Sequence, residues 1–217
     1  MLKKIDILGI EVDNYTVREA MMQVENYLDN TIMNTIETID MKMLELAGQD
    51  ETVRACIEQL DLAVIGEKEI LIAADVHSSQ RLSETINHDF FREFIKRIIR
   101  NHKRVFLLAE TIAQEEQLEH FLVGKYEQIE VAGHCAIEEK SNDFESVVNE
   151  INSASADVIF SILPSPLQEQ FLTENKSKLD AKIWYGLSSD YAPRSRISRI
   201  SQIAGLSLIH ISEPTRH

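Results

Sequence analysis

The feature that most limits the fold is a repeated alternation between short apolar runs and segments with helical spacing. In the second half of the chain the apolar runs are VFLLA (105–109), IEVAG (129–133), DVIFSIL (157–163) and KIWYGL (182–187). Between them lie segments at 114–126, 144–151 and 166–179 whose apolar residues recur at helical spacing. Strands separated by helices are joined by crossovers, which make neighbouring strands parallel and bury both faces of the sheet.

The first half fits the same scheme. Lys4–Val12 reads as a strand, and Thr16 with Glu19 forms a capping-box pattern ahead of a helix that ends near Leu28. Residues 32–39 read as a strand. Asp40 is placed to cap a helix carrying Met41, Leu44 and Ala47, Gly48 closes it, and Asp50 opens the next. Residues 62–65 form a further strand, followed by a short helical piece at 70–74. From Asp89, Phe90, Phe91, Phe94, Ile95, Ile98 and Ile99 make one strongly apolar helix face. Ser165 is placed to cap the helix at 166–179, with Pro166 in its first turn. The predicted fold class is α/β, a Rossmann-like open and mostly parallel sheet with helices on both faces, spanning residues 1–205 as one unit.

Composition removes several functions. The 217 residues carry 36 Asp and Glu against 22 Lys and Arg, so a net charge of −14 repels nucleic acid. Cys56 and Cys135 lie far apart without metal-like spacing, which reads as two free thiols in a reducing compartment. The start, MLKKIDILGIEVD, is too charged for a signal peptide, and no stretch reaches the roughly 20 apolar residues of a membrane span. A cytoplasmic protein is expected, in peripheral contact with the inner face of the membrane. Residues 206–216, LSLIHISEPTR, match the translation of a transposase-type sequencing adapter. The segment 206–217 is therefore expected to be non-native, with the natural chain continuing past Gly205.

A doubly wound sheet puts ligands at the carboxyl ends of its strands, where helix N-termini present amides to anions. The loops at 38–40, 66–67, 109–111, 164–168 and 186–190 qualify. Neither GxGxxG nor GxxxxGK[ST] occurs, so an ordinary dinucleotide or P-loop site is unsupported and no cofactor is implied. Read alone, Thr38 and Asp40 are helix-capping groups, Glu67 is a solvated first-turn residue, and Gln168 and Glu169 are surface positions. His77, His88, His102, His120 and His134 show no ligand spacing along the chain, so no metal site is expected.

The order of several phrases raises the odds of a site. ILGIEVDNYTVREAM, TIETIDMKMLELAG, LDLAVIG, RVFLLAE, VVNEINSASADVIFSILPSPLQEQFLTENKSKL and KIWYGL occur in sequence. Together they resemble the WecG/TagA/CpsF glycosyltransferases, from about Ile5 to about Asp190. The stretch from Asn149 to Gln168, leading into Pro-x-x-Gln-Glu, is the most specific. The resemblance implies an inverting transfer of a sugar, often N-acetylmannosamine, from a UDP-sugar to a polyprenyl-diphosphate-linked acceptor. The residues present demand no metal, so a metal-independent reaction is expected. Teichoic acid and surface polysaccharide synthesis are the settings it implies, and a homo-oligomer is possible.

Carried over position by position, Thr38 matches the family's active-site threonine and Asp40 falls where asparagine is usual. Gln168 and Glu169 match its glutamine-glutamate pair, and Ser165 and Asp190 are further substrate-binding candidates. The family's strand-Pro-Asp-Gly turn supplies the base that deprotonates the acceptor hydroxyl. Here that turn is Ile65-Gly66-Glu67, so the aspartate aligns with Gly66 and Glu67 falls one residue late. Glu67, with one more methylene, is the expected catalytic base. Ala109-Glu110 and Pro164 also stand where the family has glycine, which restricts how closely backbone amides can approach a diphosphate.

Two basic clusters are candidates for membrane docking: Arg92, Lys96, Arg97, Arg100, Lys103 and Arg104, and then Arg194, Arg196 and Arg199. The first also reads as the solvated face of an amphipathic helix. Two other functions stay open at this stage. One is a family descendant without catalysis that binds or scaffolds partners of the same pathway; the other is an unrelated nucleotide-binding module.

Overall fold

The computed structural model describes residues 4–140 and 143–187. Asp190, the second basic cluster and the segment 206–217 lie outside the described residues. The chain begins with strands β1 (Lys4–Ile7) and β2 (Ile10–Asp13), then helix α1 (Val17–Asp29) and strand β3 (Asn34–Ile39). Helices α2 (Met41–Ala47) and α3 (Glu51–Glu58) lead to strand β4 (Leu62–Ile65). Helices α4 (Lys68–Ala73), α5 (Ser79–Ile86) and α6 (Asp89–Arg100) precede strand β5 (Arg104–Ala109). The remainder alternates: α7 (Ile112–Lys125), β6 (Glu130–Ala136), α8 (Phe144–Ala154), β7 (Val158–Ser161), α9 (Leu167–Asn175) and β8 (Ile183–Gly186).

Six strands form one sheet in the order β4-β3-β8-β7-β5-β6, and every pairing in it is parallel. The period of two along each strand sorts its side chains onto opposite faces. Ile183 and Tyr185 of β8 join Phe90, Phe94 and Ile98 of α6 on one face, whereas Trp184 packs with Phe171 of α9 on the other. Tyr185 and Phe94 meet edge to face with centroids 5.0 Å apart; Trp184 and Phe171 stack at 5.7 Å. Burying both faces in this way is what makes the strand sequences nearly continuous apolar runs.

Residues 4–12 depart from the expected single strand. They form a hairpin, β1 with β2, in which Lys4 pairs with Asp13 and Ile7 with Ile10. Leu8 and Gly9 make the reversal with φ of 55° and 79°. Positive φ at both central positions is the pattern of a type I′ two-residue loop, and leucine gives no hint that it accepts one. Buried Asp13 anchors the hairpin to the sheet by accepting the Ala63 amide at 2.9 Å and pairing with Lys4 at 3.3 Å. Helix α5 also lies in a stretch without a sequence assignment. Its start is set by Ser78, whose hydroxyl accepts the Arg81 amide.

Candidate active site

Parallel strands leave their carboxyl ends on one edge, so the loops after β3, β4, β7 and β8 are gathered there. Thr38, next to the end of β3, is 4 % exposed, and its hydroxyl lies 3.1 Å from that of Tyr185 on the adjacent strand. Burial raises the Tyr185 phenol above its ordinary pKa, with the Thr38 contact opposing the shift. The phenol therefore stays protonated and holds the threonine hydroxyl in place.

Asp40 leaves β3 in extended conformation and caps α2, accepting the Met43 amide at 2.8 Å. Glu67 leaves β4, and its Oε2 accepts the Met41 amide at 2.9 Å from 26 residues away. Two loops thus send their carboxylates to the same helical turn. Those amides are the groups an external anion would use, and the protein's own carboxylates already satisfy two of them. The α2 terminus is not an ordinary diphosphate cradle. It is an anchor that holds the half-buried Glu67 carboxylate at the turn that Asp40 also caps.

Gly66 accounts for the late position of that carboxylate. A Cβ at residue 66 would stand 2.6 Å from Thr38 Cγ2 and 3.1 Å from the Ile39 carbonyl oxygen, to which the Gly66 amide donates at 2.8 Å. Any side chain here requires Thr38 to move.

Thr38, Asp40, Lys42, Ser165 and Gln168 line one cavity at this edge. Gln168 is 3 % exposed and its Oε1 has no hydrogen-bond partner, although it is buried. Its amide nitrogen lies against Gly186, where a Cβ would come within 2.6 Å. Glu169 is placed differently. It is wholly buried, and Ser165 Oγ donates to its Oε1 at 2.5 Å. Ser165 therefore does not cap α9 as expected; the residue at that cap is Pro166, which makes no side-chain cap bond.

Sequence reasoning missed Glu37. It is wholly buried on β3, on the opposite face from Thr38, and neither carboxylate oxygen has a hydrogen-bond partner. Burial pushes its carboxyl well above the usual range, Glu169 adds to the shift, and the nearby Trp184 indole opposes it. Burial likewise raises Glu169, with the Ser165 hydroxyl opposing. The available signal was a lone charged residue inside a parallel strand that is otherwise uncharged, NTIETI.

The first basic cluster is largely neutralised. Arg92 pairs with Asp89, Lys96 with Glu93, Arg97 with Glu25 and Lys103 with Asp157. This favours the solvated-face reading of α6 over a docking surface. Among the described residues, no helix is long and apolar enough to cross a membrane.

Comparison with known proteins gives this geometry a context. Residues 5–189 match the model of the glycosyl transferase WecG/TagA/CpsF family. An N-acetylglucosaminyldiphosphoundecaprenol N-acetyl-beta-D-mannosaminyltransferase of Staphylococcus aureus strain MRSA252 is 25 % identical over 192 residues, covering 85 % of this chain and 72 % of the relative. The protein of the same description from strain NCTC 8325 is 24 % identical, with the same coverage. A family match that takes in every strand of the sheet and both carboxylates at the α2 turn has one consequence: this chain belongs to the WecG/TagA/CpsF family of glycosyltransferases.

Proposed function

We propose that the protein transfers an N-acetylmannosamine-type sugar, or another hexose, from UDP to a polyprenyl-diphosphate-linked acceptor in surface polysaccharide or teichoic acid synthesis. Family membership and the names of the relatives support the substrate class. The observation that carries the mechanism is the Glu67 carboxylate, tethered to the Met41 amide at the carboxyl edge of the sheet, at the turn capped by Asp40. In this reading Glu67 accepts the proton of the acceptor hydroxyl. That oxygen attacks the anomeric carbon as the bond to UDP breaks, and direct displacement inverts the configuration. No step is assigned to a metal.

The other residues divide the remaining work. Thr38, Asp40, Ser165 and Gln168 contact substrate in the shared cavity, and Gln168 brings an acceptor oxygen that lacks a protein partner. Glu169 acts through Ser165 as a positioning residue, since it is wholly enclosed. Lys42 lines the same cavity and places positive charge near the departing UDP. Asp190 and the basic residues Arg194, Arg196 and Arg199 are assigned to substrate and to the lipid surface, at the cytoplasmic face of the membrane.

A panel of UDP-sugars assayed with a polyprenyl-diphosphate-linked acceptor tests the reading. Release of UDP that depends on both substrates is expected with at least one donor. A binding role without turnover is the second reading, favoured by the closed space at Gly66. Saturable UDP-sugar binding without transfer for any donor would select it.

A further inference from the structure

A second cluster lies at the other end of the sheet. Strands β8, β7 and β5 stand between β3 and the edge strand β6. Glu115 and Glu119 occupy successive turns of α7, four residues apart and so on one helix face. His134 projects from β6, which pairs with β5 along the strand that leads into α7. One ligand atom from each of the three residues lies within 4.8 Å of the others.

A second observation separates this group from an ordinary acidic surface. The Glu115 side chain is only 5 % exposed, and its Oε2 lies 3.2 Å from His134 Nδ1. Its other oxygen, Oε1, is buried and has no hydrogen-bond partner. Buried carboxylate oxygens are nearly always satisfied, because desolvation without a partner is costly. Glu116 and Glu139 add negative potential at the same carboxylate. A Glu115–His134 ion pair alone leaves Oε1 unsatisfied and gives Glu119 no part.

We propose that Glu115, Glu119 and His134 form a binding site for a divalent cation of the zinc type, separate from the candidate active site. One imidazole nitrogen with carboxylate oxygens is a donor set suited to zinc, with a fourth position left for water. Glu119 and His134 are accessible enough to rotate inward, which brings the donor atoms to about 2.0–2.2 Å from a shared ion. The ion ties α7 to the edge strand and satisfies the buried oxygen. Chain spacing does not announce the site because its histidine comes from a different element than its carboxylates.

The test is titration of the chelator-treated full chain with Zn2+ against a chromophoric competitor, with Co2+ absorption as a second probe of coordination. One equivalent is expected to bind saturably and to raise the melting temperature. Glu119→Gln and His134→Ala should each weaken that equivalent at least tenfold while leaving the far-ultraviolet circular dichroism unchanged. Glu115→Gln, which keeps the side-chain shape, should do the same. Absence of a saturable equivalent would overturn the proposal. So would affinity within twofold of the parent in the Glu119→Gln/His134→Ala double variant, which would assign the zinc to other histidines such as His77, 2.7 Å from Asp75.

Discussion

Glu67 accepts the Met41 backbone amide at 2.9 Å, so the residue that follows β4 is tied to the helix that follows β3. The bond gives Glu67 a structural duty as well as its proposed chemical one. The two can be separated by choice of substitution. Glu67→Gln keeps an acceptor oxygen, and its stability should lie within about 0.5 kcal/mol of the parent. Glu67→Ala leaves the Met41 amide without its side-chain partner and should cost about 1 kcal/mol. Urea unfolding of both variants measures the difference; equal stabilities would show that the bond contributes nothing.

Gly66 gives a second expectation. Gly66→Asp restores an acid at the family's usual position, yet its Cβ collides with Thr38 Cγ2. The substitution should destabilise the protein by roughly 1–3 kcal/mol through overpacking and should not raise turnover. Thr38→Ser removes the obstructing methyl. The double variant should therefore be more stable than the sum of the single effects allows, by at least about 0.5 kcal/mol in a double-mutant cycle. Additive effects would mean that the turn adapts elsewhere.

The buried acid Glu37 sets a pH dependence. Its folded carboxyl holds a proton to higher pH than the unfolded one, whose reference value is 4.5. Above about pH 4.5 the native state therefore binds more protons than the unfolded state. Stability is fully present below that pH and is lost as pH rises through the raised folded value. Glu169 is shifted in the same direction and adds to the trend. Glu37→Gln should flatten the curve and gain on the order of 1 kcal/mol or more at pH 8. Unfolding free energies from pH 4.5 to 8 check this, and parallel curves for parent and variant would contradict it.

Much of the fold is legible along the chain, and the reason is local. VFLL, VIFS and IWYG are bounded apolar runs, and the side chains of Asp40, Asp50 and Thr16 accept the amides that open their helices. The hairpin is less legible because its turn rests on a left-handed leucine, which no turn preference anticipates. The site divides in the same way. Thr38, Asp40 and Gln168 lie at or after strand ends, where the family resemblance singles them out, and they do share a cavity. The enclosure of Glu37 and Glu169 could not, because it depends on which face of β3 the α9 helix covers. Nor does chain spacing show that the Glu67 carboxylate reaches across to α2, since that contact is made only by the pairing of β3 with β4.

The most direct test of the account is the turnover of Glu67→Gln beside the parent, with the UDP-sugar and polyprenyl-diphosphate-linked acceptor that the parent uses. A general base contributes about 10²–10⁴-fold, so the variant should lose at least about a hundredfold in kcat with its fold intact and its donor affinity little changed. Equal rates in the two proteins would contradict the assignment of the acceptor proton to this carboxylate.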